Sequence, residues 1–176
     1  TGFARQANKD DAVKLATFLQ DPQISSPIYM LPEQINLSTV SDFINQHLQE
    51  TKKGEGILMI SEDANNNINA YYDIQFWPQW AASELSGAIQ VCDQNVGKGS
   101  LGAGIIFRWL FEKIGVDLIC ETCALDNFRT AKLLKKAGFI AESSTGLSYE
   151  EFYEKYKPHL VRITLDKLGR NFFEMF

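Results

Sequence analysis

A chain of 176 residues, 45% hydrophobic and 22% charged, is long enough to bury a sizeable core, and we read it as a single domain over residues 1–176. Its 22 acidic against 17 basic side chains leave a net charge of −5, which argues against nucleic acid as a partner, because phosphate backbones are bound through surplus Lys and Arg. No run reaches the roughly 20 apolar residues of a membrane span, so no membrane partner is expected.

The opening Thr1-Gly2-Phe3-Ala4-Arg5 lacks a basic region followed by an apolar run, so it is not expected to be a signal peptide. Three cysteines, Cys92, Cys120 and Cys123, are an odd and sparse set that fits a reducing, cytoplasmic setting better than a disulfide scaffold. In chain order, Phe3 to Ala7 suits an edge strand. Ala12, Leu15, Ala16 and Leu19 recur at helical spacing behind a cap at Asn8 or Asp10. Pro22, Pro27 and Pro32 then punctuate a loop, and a second helix begins near Ser38 or Ser41 with Val40, Phe43, Ile44 and Leu48 on one face.

Ile57 to Ser61 and Ile68 to Phe76 are predicted strands joined across Asp63-Ala64-Asn65-Asn66-Asn67, a run of turn formers. Trp77-Pro78-Gln79-Trp80 reads as a loop with two exposed aromatics, and Leu85 to Val91 as another strand. Between that strand and a helix predicted over Ser100 to Ile114 lies Val91-Cys92-Asp93-Gln94-Asn95-Val96-Gly97-Lys98-Gly99. Glycines at 97 and 99 let the backbone turn and approach a ligand, and the first N–H groups of the helix point at an anion. The helix is apolar nearly all round apart from Gly104, Arg108 and Glu112, so most of it is expected to pack on a sheet, with Gly115 as its stop.

The loop has neither the Walker spacing nor a complete dinucleotide fingerprint, although Gly97, Gly99, Gly102 and Gly104 come near the latter. A strand over Asp117 to Thr122 follows, then a helix capped by Asn127 and ended by Gly138. Ala131, Leu134 and Ala137 are assigned inward, while Lys132, Lys135 and Lys136 form a basic outer face.

Taken together, Gln94-x-x-Gly97-x-Gly99 and the later Asn127, Leu133-Leu134 and Gly138-Phe139 resemble the phosphate motif and second motif of the GNAT superfamily of N-acetyltransferases. Trp109-Leu110-Phe111-Glu112-Lys113-Ile114-Gly115 and Leu134-Lys135-Lys136 are most similar to its RimJ/RimL-like branch. The resemblance covers Val91 to about Ile140. It implies an α/β fold with a mostly antiparallel mixed sheet, splayed between parallel strands at Leu85 to Val91 and Asp117 to Thr122, and flanked by helices. It also implies acetyl-CoA as co-substrate and an amine acceptor, either a small molecule or a protein N-terminus. Pantetheine would pair with backbone at Ile89 and Val91, and pyrophosphate would rest on Gln94, Asn95, Val96, Gly97, Lys98, Gly99 and Ser100, with Asn127 reaching the same ligand. Leu134 stands where many members carry a Tyr that protonates the departing thiolate, so a CoA-binding module without catalysis is the alternative.

Acyl transfer needs a base for the amine, and Glu84 and Tyr72 are the assigned catalytic residues. Asp73 lies next to Tyr72 on the opposite strand face, so at most one of the two reaches a cleft, and Glu121 is a further acid. No metal is expected. Cys120 and Cys123 are three positions apart, an odd separation that turns them to opposite faces of a strand, and His47 and His159 are isolated and expected to be structural or exposed. Ser148-x-x-Glu151 opens an aromatic-striped helix stopped at Pro158. The apolar end Phe172 to Phe176 is expected to dock on its own domain or on a partner, which leaves a homodimer possible.

Overall fold

The computed structural model describes residues 4–28, 30–122 and 127–139. Within them the order is β1 (Arg5–Gln6), α1 (Ala12–Leu19), α2 (Pro22–Ser25), α3 (Leu37–Lys53), β2 (Gly56–Glu62), β3 (Ile68–Trp77), β4 (Ala82–Ile89), α4 (Lys98–Trp109), β5 (Leu118–Cys120) and α5 (Phe128–Lys136). The strands follow one another as β1-β2-β3-β4-β5. Two compact units are distinguished, Thr1–Pro78 with Ser83–Gly99, and Gln79–Ala82 with Ser100–Phe176.

The first unit is built on local signals that the chain carries openly. The Asn8 side chain accepts the Asp10 N–H at 2.9 Å while Asp11 accepts the Asn8 N–H at 2.8 Å, a reciprocal cap that starts the turn leading into α1. Asp11 also receives both Arg5 guanidinium nitrogens, at 2.7 and 2.8 Å, which ties β1 to the helix entry. The region around Pro22 is helical, contrary to the expected loop. Asp21 caps it and Pro22 occupies the first turn, where its missing N–H costs nothing.

The next helix, α3, begins earlier than Ser38. Asn36 is its cap, exchanging hydrogen bonds with Thr39 at 3.1 Å in both directions. It ends at Gly54, whose φ of 75° the missing Cβ permits. The apolar faces of α1 and α3 close over one face of the sheet, and Leu15, Leu19, Val40, Ile44, Leu58, Ile60 and Tyr71 are buried together. Each such aliphatic side chain contributes about 1.5–3 kcal/mol on leaving water.

Strands β2 and β3 form an antiparallel hairpin with Leu58 opposite Asp73 and Met59 opposite Tyr72. Its turn is held by the Asp63 carboxylate, which accepts the N–H groups of Asn65 and Asn67 at 2.8 and 2.9 Å. The aromatics that follow are not exposed as expected: Trp77 closes β3, Trp80 ends a short 3-10 turn, and both are half-buried.

In the second unit, the carbonyl of Ala81 accepts the N–H of Asp117 at 2.6 Å and of Leu118 at 3.2 Å, so β5 joins where β4 begins. The helix α4 gives way at Leu110–Ile114 to a π turn, and Gly115, at φ 82°, stops it as anticipated. Its surface differs from expectation. Leu101 and Ile105, one turn apart, are 51% and 57% exposed, whereas Gly104, Ile106, Phe107 and Leu110 are buried. An apolar residue type therefore does not by itself put a helix position against the core.

Asn127 caps α5 by accepting the Thr130 N–H at 3.1 Å. Beyond the helix, the Gly138 N–H donates to Lys135 and the Phe139 N–H to Leu134. The Phe139 ring packs on Phe107 of α4 with centroids 5.4 Å apart. On this helix Ala137 is buried and Leu134 half-buried, but Ala131 is exposed rather than inward. Cys123, His159, the Ser148–Glu151 helix and the Phe172–Phe176 tail lie outside the described residues.

Candidate functional site

The motif segment begins where β4 ends. After Ile89, a 3-10 turn at Val91–Asp93 brings the chain into the loop, and the Gln94 side-chain amide turns back to donate to the Ile89 carbonyl at 3.1 Å. The Gln90 amide donates to Asp93 at 2.7 Å, and Lys98 donates to the other oxygen of the same carboxylate. Asp93 is held below the usual carboxylate range by Lys98 and Gln90. The same contact raises the Lys98 ammonium.

The backbone then does what the glycine spacing suggested, with one difference. Asn95 at φ 62° and Gly97 at φ 87° are both left-handed, and a Cβ at Gly97 would meet nothing within 4 Å. The second glycine does not share that conformation: Gly99 is already in the first turn of α4. Val96 is 66% exposed at the crest. The first four N–H groups of a helix lack intrahelical acceptors, and a helix start is chemically suited to an anion.

The other assigned residues are placed as follows. Glu84 is buried on β4 beside the fully buried Ser83. Tyr72 is half-buried on β3, and burial raises its phenol. Asp73, on the other strand face, is committed to the core: its Oδ1 lies 2.9 Å from His47 Nε2. Val91 is half-buried, Cys92 exposed, and Asn127 serves as the cap described above. Among the described residues no group of three or more metal-ligating side chains comes together, and no helix is long and apolar enough to cross a membrane.

Two features escaped the sequence reading. His47 takes the structural of its two expected roles, buried on α3, but its pairing with Asp73 of β3 was not foreseen. The available signal was its position on the same apolar face as Val40, Phe43 and Ile44. Gly87 sits inside β4 at φ 153°, and a Cβ there would lie 2.3 Å from the Tyr71 carbonyl oxygen. An isolated glycine inside a strand pattern was the available signal for such a close backbone approach.

Residues 3–140 match the acetyltransferase (GNAT) domain family, and the chain belongs to that family. It is an N-acetyltransferase domain with the α/β fold of that class. Solved structures with the same fold include a ribosomal-protein-S5-alanine acetyltransferase from Vibrio fischeri (TM-score 0.69, 16% identity, 81% of this chain and 84% of that one). A spermidine N-acetyltransferase from Vibrio cholerae, solved with CoA and spermine, aligns at TM-score 0.68 and 16% identity over 80% and 82% of the two chains. A GNAT acetyltransferase from Streptococcus pneumoniae aligns at 0.61 and 21% identity, over 81% and 86%. A methionyl-tRNA formyltransferase of Campylobacter curvus is 30% identical over 96 residues, which is 54% of this chain and 30% of that protein's length.

Proposed function

We propose that the protein binds acetyl-CoA through the loop from Gln94 to Ser100 and transfers the acetyl group to an amine by direct attack. The observation that carries this reading is the paired left-handed backbone at Asn95 and Gly97 leading straight into α4, with open space over Gly97. The loop amides and Lys98 would hold the pyrophosphate, Lys98 exchanging its bond to Asp93 for one to phosphate oxygen. Backbone at Ile89 and Val91 is assigned to pantetheine, and Asn127 to the same ligand. The Gln94 amide, engaged with the Ile89 carbonyl, acts as a brace for the turn between them.

In the reaction the amine nitrogen attacks the thioester carbon. The C–N bond forms as the C–S bond breaks, and the sulfur leaves as thiolate. The amine proton goes to a base, for which Glu84 is our assignment, with Tyr72 as a second proton-transfer group. Leu134, half-buried on α5, has no proton to give, so the thiolate departs without help from that position. No metal enters the scheme.

The branch we assign is RimJ/RimL-like, the acceptor a protein N-terminus or a small amine, and the setting cytoplasmic, with a homodimer compatible. Support comes from the Trp109 to Gly115 and Leu134 to Lys136 resemblances and from the exposed Cys92 thiol, which suits a reducing compartment. Leu134 also favours one second reading, a CoA-binding module that no longer turns over. Thermal shift with acetyl-CoA, CoA, ATP and NAD tests the ligand, because one that binds only the native state raises its stability. Stabilisation by the first two alone is expected, and a larger response to ATP or NAD overturns the reading. Release of CoA in the presence of amine libraries then separates enzyme from binding module.

A further inference from the structure

His47 Nδ1 lies 2.8 Å from the Phe43 carbonyl oxygen, one turn back on α3, while Nε2 lies 2.9 Å from Asp73 Oδ1 on β3. A carbonyl only accepts, so Nδ1 carries a proton. The second nitrogen therefore decides the charge state of the pair. A neutral ring with its proton on Nδ1 would aim the Nε2 lone pair at a carboxylate inside the core, where two facing acceptors are costly. A proton on Nε2 removes that conflict and satisfies both ends of the ring.

We propose that His47 and Asp73 form a buried imidazolium–carboxylate clasp, with both ring N–H groups donated, which holds α3 to β3 and slackens as pH rises.

The surroundings of the ring favour the cation. Both side chains are 4% exposed. The Phe43 ring packs on the imidazole with centroids 4.4 Å apart and planes inclined at 60°. Glu50, also on α3, places a carboxylate oxygen 3.7 Å from Nε2 and is itself within 3.4 Å of the Gln75 amide on β3. From β3 the buried Tyr71 hydroxyl, without a hydrogen-bond partner of its own, feels the Asp73 charge, which together with burial raises it. On β2 the positions opposite Gln75, Asp73 and Tyr71 are Gly56, Leu58 and Ile60, so no titratable group faces the pair from there. Of the charged groups at α1 and its entry, Asp11 pairs with Arg5 and Lys14 with Glu62. Burial alone would discharge the ring, but the Asp73 bond and charge, the Phe43 carbonyl and Glu50 outweigh it and lift the imidazole above the ordinary histidine value.

The linkage has a definite sign. Between the unfolded-chain histidine value of about 6.5 and the raised folded value, the native state keeps a proton that the unfolded chain has released. The clasp's contribution is therefore complete below that window and is lost as pH rises through the folded value. Inside the window one extra bound proton lets the unfolding equilibrium constant grow by up to about tenfold per pH unit.

Nitrogen-15 NMR of histidine-labelled protein reads the ring directly, with His47→Gln assigning the signal. Both ring nitrogens of His47 are expected to keep imidazolium shifts as the pH passes the ordinary histidine value of about 6.5, where a solvent histidine is losing its proton. Urea unfolding from pH 6 to 9 should show the wild type losing stability relative to His47→Gln across the same range. If that variant does not fold, the spectrum of the wild type alone still decides. A ring that becomes a neutral single tautomer at or below the ordinary histidine value of about 6.5, including one accepting from a protonated Asp73, overturns the proposal, as do parallel pH profiles. The inference is independent of acetyl-CoA binding.

Discussion

Two glycines at left-handed φ offer a matched test, because one is crowded and the other is not. A Cβ at Gly87 would lie 2.3 Å from the Tyr71 carbonyl oxygen and 3.2 Å from the Tyr72 Cα, whereas one at Gly97 would meet nothing within 4 Å. Both substitutions to Ala put an L-residue at positive φ, which costs about 1–2 kcal/mol near the left-handed helical region at Gly97 and about 1–3 at Gly87, whose φ of 153° lies in a region essentially reserved for glycine. Reduced freedom in the unfolded chain returns roughly 0.4–1 kcal/mol in each case. For Gly97→Ala this leaves a net cost of about 1 kcal/mol. Gly87→Ala must also push β4 off β3, and its neighbour is backbone that no rotamer change can move. Overpacking of that kind adds about 1–3 kcal/mol, giving roughly 3 in total.

A domain of this size has about 5–15 kcal/mol to lose, so both variants should fold. With a urea slope of about 2 kcal/mol/M, the midpoint should fall by roughly 1.5 M for Gly87→Ala and about 0.5 M for Gly97→Ala. Equal shifts, or a larger one at Gly97, would refute the assignment of Gly87 to a backbone contact. The functional order should be the reverse. Gly97→Val, with a β-branched side chain just before the helix start, is expected to abolish acetyl-CoA binding in a folded protein, and unchanged affinity by calorimetry would remove the loop from the site.

Asn127→Ala should cost about 1 kcal/mol through the lost cap on α5, and it should also weaken acetyl-CoA if the residue touches the ligand; an affinity equal to wild type restricts Asn127 to capping. Asp11, whose carboxyl is held below its ordinary value chiefly by Arg5 and also by the Asn8 N–H, contributes stability that is present at neutral pH and lost as pH falls through its folded value. Asp11→Asn should therefore flatten the acid limb of a thermal stability profile, and an unaltered limb would argue against the pairing. Cys92→Ala should retain turnover once an acceptor is found, since direct attack needs no thiol; loss of turnover with binding intact, together with acetylated Cys92 in the wild type by mass spectrometry, would establish a covalent route instead.

Much of this protein was legible along the chain because its signals act over a few residues. The caps at Asn8 and Asn127 and the Asp63 to Asn67 turn depend on side chains reaching backbone no more than five positions away, and the stops at Gly115 and Gly138 on glycines that take up positive φ. The turn at Gly97 was legible for the same reason, since a left-handed residue just before a helix favours glycine. The family likewise followed from spacing within residues Val91 to Ile140. What the folded chain decided concerns residues far apart in sequence. Nothing near His47 names Asp73, 26 positions on, as its partner. The crowding at Gly87 comes from a neighbouring strand. The exposure of Leu101 and Ile105 shows that periodicity marks out a helix face but not which face is covered. Burial and charge state depend on which segments the sheet brings together, and that information is held by the pairing of strands and helices rather than by any one window of the sequence.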